Sequence, residues 1–277
     1  MSGATTRLDS APGVEAPLLR DAAERAIAYL DGLPARPVAA TAAARERLAT
    51  LAAPLPEDPA DAATVLNLLD TLGSPATTAT AGSRYFGFVT GGTLPAALAA
   101  SWLAGAWDQN AAFSVMSPVA AVLEETSRRW LLELLGLPPE AGAGFVTGGT
   151  TANFTALAAA RHAVLKRAGW DVEADGLFGA PPVTVVVGDE VHVSLLKALA
   201  LLGLGRERVL RVPVDGQGRL RPDALPNVTG PAIICLQAGN VNTGAFDPAA
   251  PVCAWARERG AWVHVDGAFG LWAAASP

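Results

Sequence analysis

A short apolar run that passes through two glycines into a long helical pattern constrains this chain more than any other feature. The apolar spacing predicts a buried strand over Gly144–Thr147 and a helix over Thr151–Ala168. Gly148 and Gly149 form the turn between them, and either of the two threonines that follow can cap the helix. Free amides and the positive end of the helix dipole meet at such a turn, so a phosphate can approach the backbone there. A plain strand–helix turn has the same pattern and is the alternative.

From this turn onward, strand-like and helix-like segments alternate, which is typical of α/β proteins. The run of β-branched residues in Val183–Gly188 predicts a strand that is buried on both faces, as in a mostly parallel sheet with helices on both sides. The other predicted strands are Arg208–Pro213, Ala232–Gln237 and Trp262–Asp266, and the other predicted helices are His192–Leu202, Pro222–Leu225 and Pro248–Arg259.

The N-terminal part is predicted to be helical and to have no sheet of its own. After a mobile tail over residues 1–16, the predicted helices are Leu18–Leu30, Ala42–Leu51, Ala60–Leu72, Leu94–Trp107 and Pro118–Leu135. The apolar residues of the last helix are expected to face inward: Val119, Val122, Leu123, Trp130, Leu131 and Leu134. We therefore predict a helical segment over residues 1–80, which packs on the larger domain or on a partner subunit, and an α/β domain over residues 81–277.

Composition excludes several classes of function. The net charge is −6 and the pI is about 5.1, so a nucleic-acid partner is not expected. The apolar stretches are shorter than the roughly 20 residues needed to cross a bilayer, and the N-terminus lacks the apolar core of a signal peptide. Two cysteines in apolar contexts predict reduced thiols in a cytoplasmic protein.

Two polar residues stand where predicted strands end, which is where open α/β sheets bind ligands. His192 follows the second predicted strand, and Asp266 closes the last one, just before Gly267 and Ala268. A carboxylate there is costly to bury unless a donor or a cation, such as a ligand N–H⁺, is its partner. A helix cap is the ordinary explanation for each residue taken alone. We predict no metal site, because the acids next to His192 lack the spacing of metal ligands and no second histidine is near.

Together, these features meet the needs of a phosphorylated pyridine cofactor. The helix start would bind the phosphate, the imidazole of His192 would stack on one face of the ring, and Ala268 would pack on the other. Asp266 would keep the ring nitrogen protonated, and a protonated pyridine is the electron sink that stabilises a substrate carbanion.

The sequence resembles the group II pyridoxal-phosphate-dependent amino-acid decarboxylases, which include the aromatic-amino-acid and glutamate decarboxylases. The resemblance is carried by Thr147–Arg161, Asp189–Lys197, Gly239–Pro248 and His264–Gly270, with similar patterns in Tyr85–Gly92 and Asn110–Glu125. It implies an aminotransferase-like fold (fold type I), pyridoxal 5'-phosphate (PLP) as cofactor, an L-amino acid as substrate, and a homodimer with active sites at the subunit interface.

The resemblance also implies roles for individual residues. Gly149 and Thr150 would hold the phosphate, and Ala268 would pack beneath the ring. His192 and Asp266 would bind the ring and take part in catalysis. The expected substrate-pocket residues are Phe88, Thr90 and, from a neighbouring subunit, Phe113.

The chain departs from the family pattern at the lysine that forms the Schiff base. The family carries this lysine in a His-Lys pair beyond the position of Asp266, whereas the lysines of this chain, Lys166 and Lys197, fit no such motif. We therefore expect a C-terminally truncated, incomplete large domain without the small domain, and no decarboxylase activity from these 277 residues alone. The alternatives are a fragment of a fold type I aminotransferase or related lyase, and a non-catalytic remnant that binds PLP or dimerises. A nicotinamide-binding domain is disfavoured, because the turn lacks the Gly-x-Gly-x-x-Gly pattern.

Overall fold

A computed structural model of the protein describes residues 15–276. Most of the tail that was predicted to be mobile, residues 1–14, lies outside the described residues. The chain divides into two compact units, the first ending at Ala106 and the second beginning at Trp107. The predicted boundary between a helical segment over residues 1–80 and an α/β domain over residues 81–277 stays a prediction.

The first unit is helical in its described part. Its helices are α1 (Glu15–Gly32), α2 (Ala42–Arg47), α3 (Ala62–Ala76) and α4 (Pro95–Trp107, ending where the units divide), with short 3-10 turns at Leu33–Ala35 and Leu48–Ala52. The side chain of Asp61 caps α3 by accepting a hydrogen bond from the amide of Thr64. Arg25 on α1 pairs with Asp70 on α3 at 2.9 Å and thereby joins the two helices.

The second unit is built on a parallel sheet. Its strands are β1 (Thr184–Gly188), β2 (Leu210–Val212), β3 (Ala232–Gln237) and β4 (Trp262–Asp266), in the order β2-β1-β3-β4. Its helices are α5 (Pro118–Leu134), α6 (Gly149–Arg167), α7 (Val172–Asp175), α8 (Val193–Leu201) and α9 (Ala249–Arg259), with 3-10 turns at Pro222–Ala224 and Gly270–Ala275.

Helices cover both faces of the sheet, as predicted. Because side chains alternate along a strand, Val185 and Val187 face α6 and α8, while Val186 faces α9. Leu157 of α6 is fully buried on the first face, and so is Val252 of α9 on the second. The predicted α/β architecture with a mostly parallel sheet is therefore confirmed.

The predicted strand over Gly144–Thr147 is wrong, because this segment forms no ladder with any strand in residues 15–276. A strand exists only where a neighbour takes up its backbone hydrogen bonds, and apolar spacing does not reveal a neighbour. The predicted threonine cap is also wrong: α6 starts at Gly149, two residues earlier than expected, and its N-cap is Gly148.

The apolar face of α5 is not inward in the described chain. Val122, Leu123 and Trp130 are 65%, 56% and 69% exposed, and the helix buries Leu132 instead. A periodic apolar stripe shows that a helix has one apolar face, but it does not identify the surface that covers it. None of the helices in residues 15–276 combines the length and apolarity needed to cross a bilayer.

Candidate cofactor site

The start of α6 leaves open space in front of its backbone. A Cβ atom added at Gly148 or Gly149 would meet no heavy atom within 4 Å. The first amides of a helix have no partner within the helix itself, and α6 is 19 residues long. The hydroxyls of Thr147 and Thr151 lie 3.3 Å apart beside this turn. The helix start therefore presents donors and a positive dipole end to an open space.

Asp266 is held at the carboxyl end of β4 by two neutral donors. Its Oδ1 accepts a hydrogen bond from the backbone amide of Ala268 at 3.2 Å, and its Oδ2 accepts one from Nδ2 of Asn153 at 3.0 Å. No Lys or Arg among residues 15–276 forms an ion pair with it. This half-buried carboxylate is thus fixed in place, and the described residues leave its charge without a cationic partner.

Asn153 connects α6 to this carboxylate, and the sequence analysis missed it. It lies in the first turns of α6 and is 5% exposed. Its Nδ2 also donates to Oγ of Ser194 at 3.2 Å, and its Oδ1 lies 2.8 Å from Nε2 of His264. The signal in the sequence was a polar residue four positions before Leu157, on the same apolar face of the helix.

His264 is a buried, neutral imidazole on β4. Burial lowers the pKa of His264 below its usual value, and the nearby charge of Asp266 acts in the opposite direction. Since the amide nitrogen of Asn153 donates to two acceptors, the amide oxygen is the atom that faces His264. The imidazole therefore donates from Nε2, which assigns the proton to that nitrogen.

His192 forms the N-cap of α8 instead of its first helical residue. Its Nδ1 accepts a hydrogen bond from the amide of Ser194 at 3.3 Å and lies 2.7 Å from the hydroxyl of the same serine. The backbone amide of His192 donates to Oε1 of Gln237, at the end of β3. The ring remains exposed. The cap explanation is thus correct as far as Nδ1 is concerned, and the ring faces are left free for other contacts.

A continuous series of hydrogen bonds joins His192 to Asp266 by way of Asn153, which belongs to the helix that begins at the glycine turn. It runs from His192 to Ser194, from Ser194 to Asn153, and from Asn153 to Asp266. Asn153 follows Gly149 by four residues, which is a rise of about 6 Å along the helix axis. The helix start and the carboxylate therefore lie on the same side of the sheet and close together.

The Gly239–Pro248 stretch supports this end of the sheet. The carboxylate of Asp247 accepts hydrogen bonds from the backbone amides of Leu220 and Gln237, both at 2.7 Å. Burial raises the pKa of Asp247, and these two bonds act in the opposite direction. Asn240, 2% exposed, donates to Glu190 at 2.8 Å. The stretch is thus tied to the loops that follow β1 and β2.

The remaining predicted site residues have no tested role. Phe88 and Thr90 lie in the first unit, where Phe88 is 94% exposed, and Phe113 in the second unit is 68% exposed. Their assignment to a substrate pocket stays a prediction, as does the packing of Ala268 under a ring. Both lysines are exposed, Lys166 on α6 and Lys197 on α8. Within the described part of the chain, no three His, Cys, Asp or Glu residues lie close enough to hold a metal ion.

Comparison with known proteins identifies the family. The family model of the pyridoxal-dependent decarboxylase conserved domain matches residues 46–275. The chain belongs to this family. The predicted resemblance is thereby confirmed, and PLP is the cofactor of the family. Members of the family are lyases, so the chain is assigned to an enzyme family.

Individual relatives agree with this assignment. The chain is 28% identical to human acidic amino acid decarboxylase GADL1 over 195 residues, which cover 68% of the chain and 36% of the relative. It is 34% identical to L-2,4-diaminobutyrate decarboxylase of Rhizobium meliloti (strain 1021) over 182 residues, or 63% of the chain and 34% of the relative.

Solved structures share the fold. Mouse CSAD superposes with a TM-score of 0.82 at 25% identity, over 94% of this chain and 56% of that one. Oryza sativa TDC with PLP superposes with a TM-score of 0.81 at 25% identity, over the whole of this chain and 61% of that one. The aminotransferase-like fold is confirmed. The chain spans about a third of the length of the curated relatives and somewhat over half of the solved chains.

Proposed function

We propose that this chain supplies the cofactor-binding part of a PLP-dependent L-amino-acid decarboxylase. The observation that carries the proposal is the hydrogen-bonded series from His192 through Asn153 to Asp266, beside the open start of α6. An anion site and a carboxylate without a cation, side by side, suit a molecule with a phosphate at one end and a protonated ring nitrogen at the other.

Each residue has a role that follows from its chemistry. The amides at Gly149 and Thr150 bind the phosphate, since glycine leaves room for the oxygen atoms. Asp266 holds the proton on the ring nitrogen. The ring of His192 would lie against one face of the cofactor, and Ala268 is small enough to pack against the other.

Bound PLP supplies the electron-withdrawing ring that lets the substrate lose its α-carboxylate as CO₂. The contribution of the protein at this step is electrostatic. An ionised Asp266 would favour the protonated ring nitrogen, because the carboxylate and the N–H⁺ carry opposite charges and form a charge-assisted hydrogen bond. Neutral donors from Asn153 and Ala268 orient the carboxylate without neutralising it.

We propose that these 277 residues alone bind PLP without a covalent link and do not decarboxylate amino acids. The basis is the position of the lysines, which are exposed on α6 and α8 and match no Schiff-base motif. Borohydride treatment of the PLP complex, followed by mass spectrometry of the chain, tests this. We expect no added cofactor mass, and a stoichiometric adduct on Lys166 or Lys197 would contradict it.

We further propose a cytoplasmic homodimer. The free cysteines support the first point, and the apolar residues exposed on α5 support the second. Light scattering on a sizing column should give the mass of a dimer. Trp130→Glu should shift the protein toward the monomer, whereas Arg129→Glu, at the adjacent exposed position, should not. Equal masses for both variants would exclude this face from the interface.

The binding of PLP tests the proposed function directly. In equilibrium dialysis the chain should bind PLP, and inorganic phosphate should compete with it. Gly149→Asp should abolish binding by repelling the phosphate. The new side chain has room and stabilises a helix N-terminus, so folding should be retained. Asp175→Asn, a change of one charge at the end of α7, is the control. PLP affinity that is unchanged in Gly149→Asp would refute the proposed phosphate site.

A further inference from the structure

We infer that Asn153 is the residue that positions the carboxylate of Asp266, and that His264 orients Asn153 through a hydrogen bond to its amide oxygen. The inference rests on the proposed function, because the carboxylate matters only if it meets the ring nitrogen of the cofactor. It gives a role to Asn153 and His264, two buried polar residues for which the similarity of motifs alone gave none.

The hydrogen bonds of Asn153 reach three different partners. Its amide nitrogen donates to Asp266 on β4 and to Ser194 on α8, and its amide oxygen faces His264 on β4. A primary amide has two N–H donors, and both are used here. A side chain that is 5% exposed and bonded on every side has no freedom to rotate.

The direction of the amide is fixed by what surrounds it. If the amide were flipped, its oxygen would face the carboxylate of Asp266, and this contact would be repulsive. The amide oxygen therefore faces His264 and accepts a hydrogen bond from Nε2, which must carry a proton. Burial lowers the pKa of His264 and thereby favours the neutral ring.

The fixed amide of Asn153 in turn orients the carboxylate of Asp266. The χ2 torsion of aspartate is intrinsically broad, so a free carboxylate turns easily. Asn153 holds Oδ2 and the amide of Ala268 holds Oδ1, so that the plane of the group is set before any ligand arrives. Without Asn153, Oδ2 would turn toward water, and its pairing with a ring N–H⁺ would weaken.

A ring-nitrogen probe tests this role. The ligands are PLP and its 1-deaza analogue, in which a C–H replaces the ring nitrogen, and the measured quantity is the ratio of their dissociation constants. A charge-assisted hydrogen bond predicts that the wild-type chain prefers PLP by roughly tenfold or more. Asp266→Asn should bring the ratio close to one, and Asn153→Ala should do nearly the same. Asn242→Ala, at an exposed asparagine, should leave it unchanged.

The outcomes separate this inference from the proposed function. Loss of the preference in both Asp266→Asn and Asn153→Ala supports both. Loss in Asp266→Asn but not in Asn153→Ala overturns the positioning role and leaves the cofactor site standing. A wild-type chain that binds both ligands equally overturns the pairing of Asp266 with the ring nitrogen, and the positioning role with it. Affinity for inorganic phosphate should be the same in all variants, because the phosphate site is not altered.

Two further measurements do not depend on how well Asn153→Ala folds. His264→Gln keeps an N–H donor near the position of Nε2 and should retain the preference for PLP, whereas His264→Leu should lose it. The chain has three histidines, so nitrogen-15 NMR can resolve each imidazole. In the cofactor-free wild type at neutral pH, His264 should carry its proton on Nε2 alone. A proton on Nδ1 alone would contradict the inference, because Nε2 could then not donate to Asn153.

Discussion

Removal of the Asp247 side chain should destabilise the second unit, because this carboxylate ties three segments together. It accepts one backbone amide from Leu220 and one from Gln237, each at 2.7 Å. Its own amide donates to the carbonyl of Gln237 at 3.0 Å. Leu220 is 1% exposed, so its amide has no direct access to water as a substitute partner.

The expected loss of free energy of unfolding follows from the number of backbone amides that lose their hydrogen-bond acceptor. A buried donor left without a partner costs about 1–3 kcal/mol. Asp247→Ala strands two amides and should cost roughly 2–4 kcal/mol, after some relief from no longer burying a charge. Asp247→Asn keeps one acceptor and opposes its N–H₂ group to the other amide, so it should cost about half as much.

Urea unfolding at pH 7, followed by far-ultraviolet circular dichroism, measures both losses. The matched control is Asp223→Asn, at an exposed aspartate whose ion pair with Arg221 is screened by water and should contribute little to stability. The expected order of destabilisation is Asp247→Ala, then Asp247→Asn, then the control. If Asp247→Ala and the control lost the same free energy of unfolding, the two hydrogen bonds from backbone amides to Asp247 would not contribute to stability, and this prediction would be refuted.

Three other perturbations test the packing and electrostatics of the second unit. Burial lowers the pKa of His264 in the folded state, so the contribution of this residue to stability should be present above about pH 6.5. That contribution should be lost as the pH falls through the folded-state pKa, by at most ~1.4 kcal/mol per pH unit. His264→Gln should therefore flatten the dependence of the urea midpoint on pH. Leu157→Ala should cost about 2–5 kcal/mol in urea unfolding, and Leu201→Ala, 70% exposed, under about 1 kcal/mol; similar losses would place Leu157 outside the core. Gly270→Ala should lower the melting temperature, because its Cβ would collide with a backbone carbonyl of the neighbouring loop, whereas Gly216→Ala meets open space; equal melting temperatures would refute that close approach.

The sequence predicted the sheet well where burial on two faces leaves a strong pattern. Strands β3 and β4 have the predicted bounds, because each apolar run ends at a polar residue at the carboxyl end of its strand. The segment Gly144–Thr147 has a similar run but no paired neighbour in the described residues. Strand formation depends on a second segment, and local spacing carries no information about it.

The candidate site was predictable in its positions but not in its connections. His192 and Asp266 stand at strand ends, and the topology of a parallel sheet brings such ends together. Asn153 and His264 looked like one polar residue in a helix and one in a strand. Their importance arises from hydrogen bonds across 111 positions of sequence, which no local pattern encodes.

The proposed function requires one PLP molecule to span the start of α6 and the carboxylate of Asp266. A crystal structure of the chain grown with PLP measures the position of both ends of the cofactor. We expect phosphate oxygens within about 3 Å of the amides at Gly149 and Thr150, and the ring nitrogen about 2.7–2.9 Å from a carboxylate oxygen of Asp266. A bound cofactor whose phosphate lies away from α6, or whose ring nitrogen faces a residue other than Asp266, would contradict it.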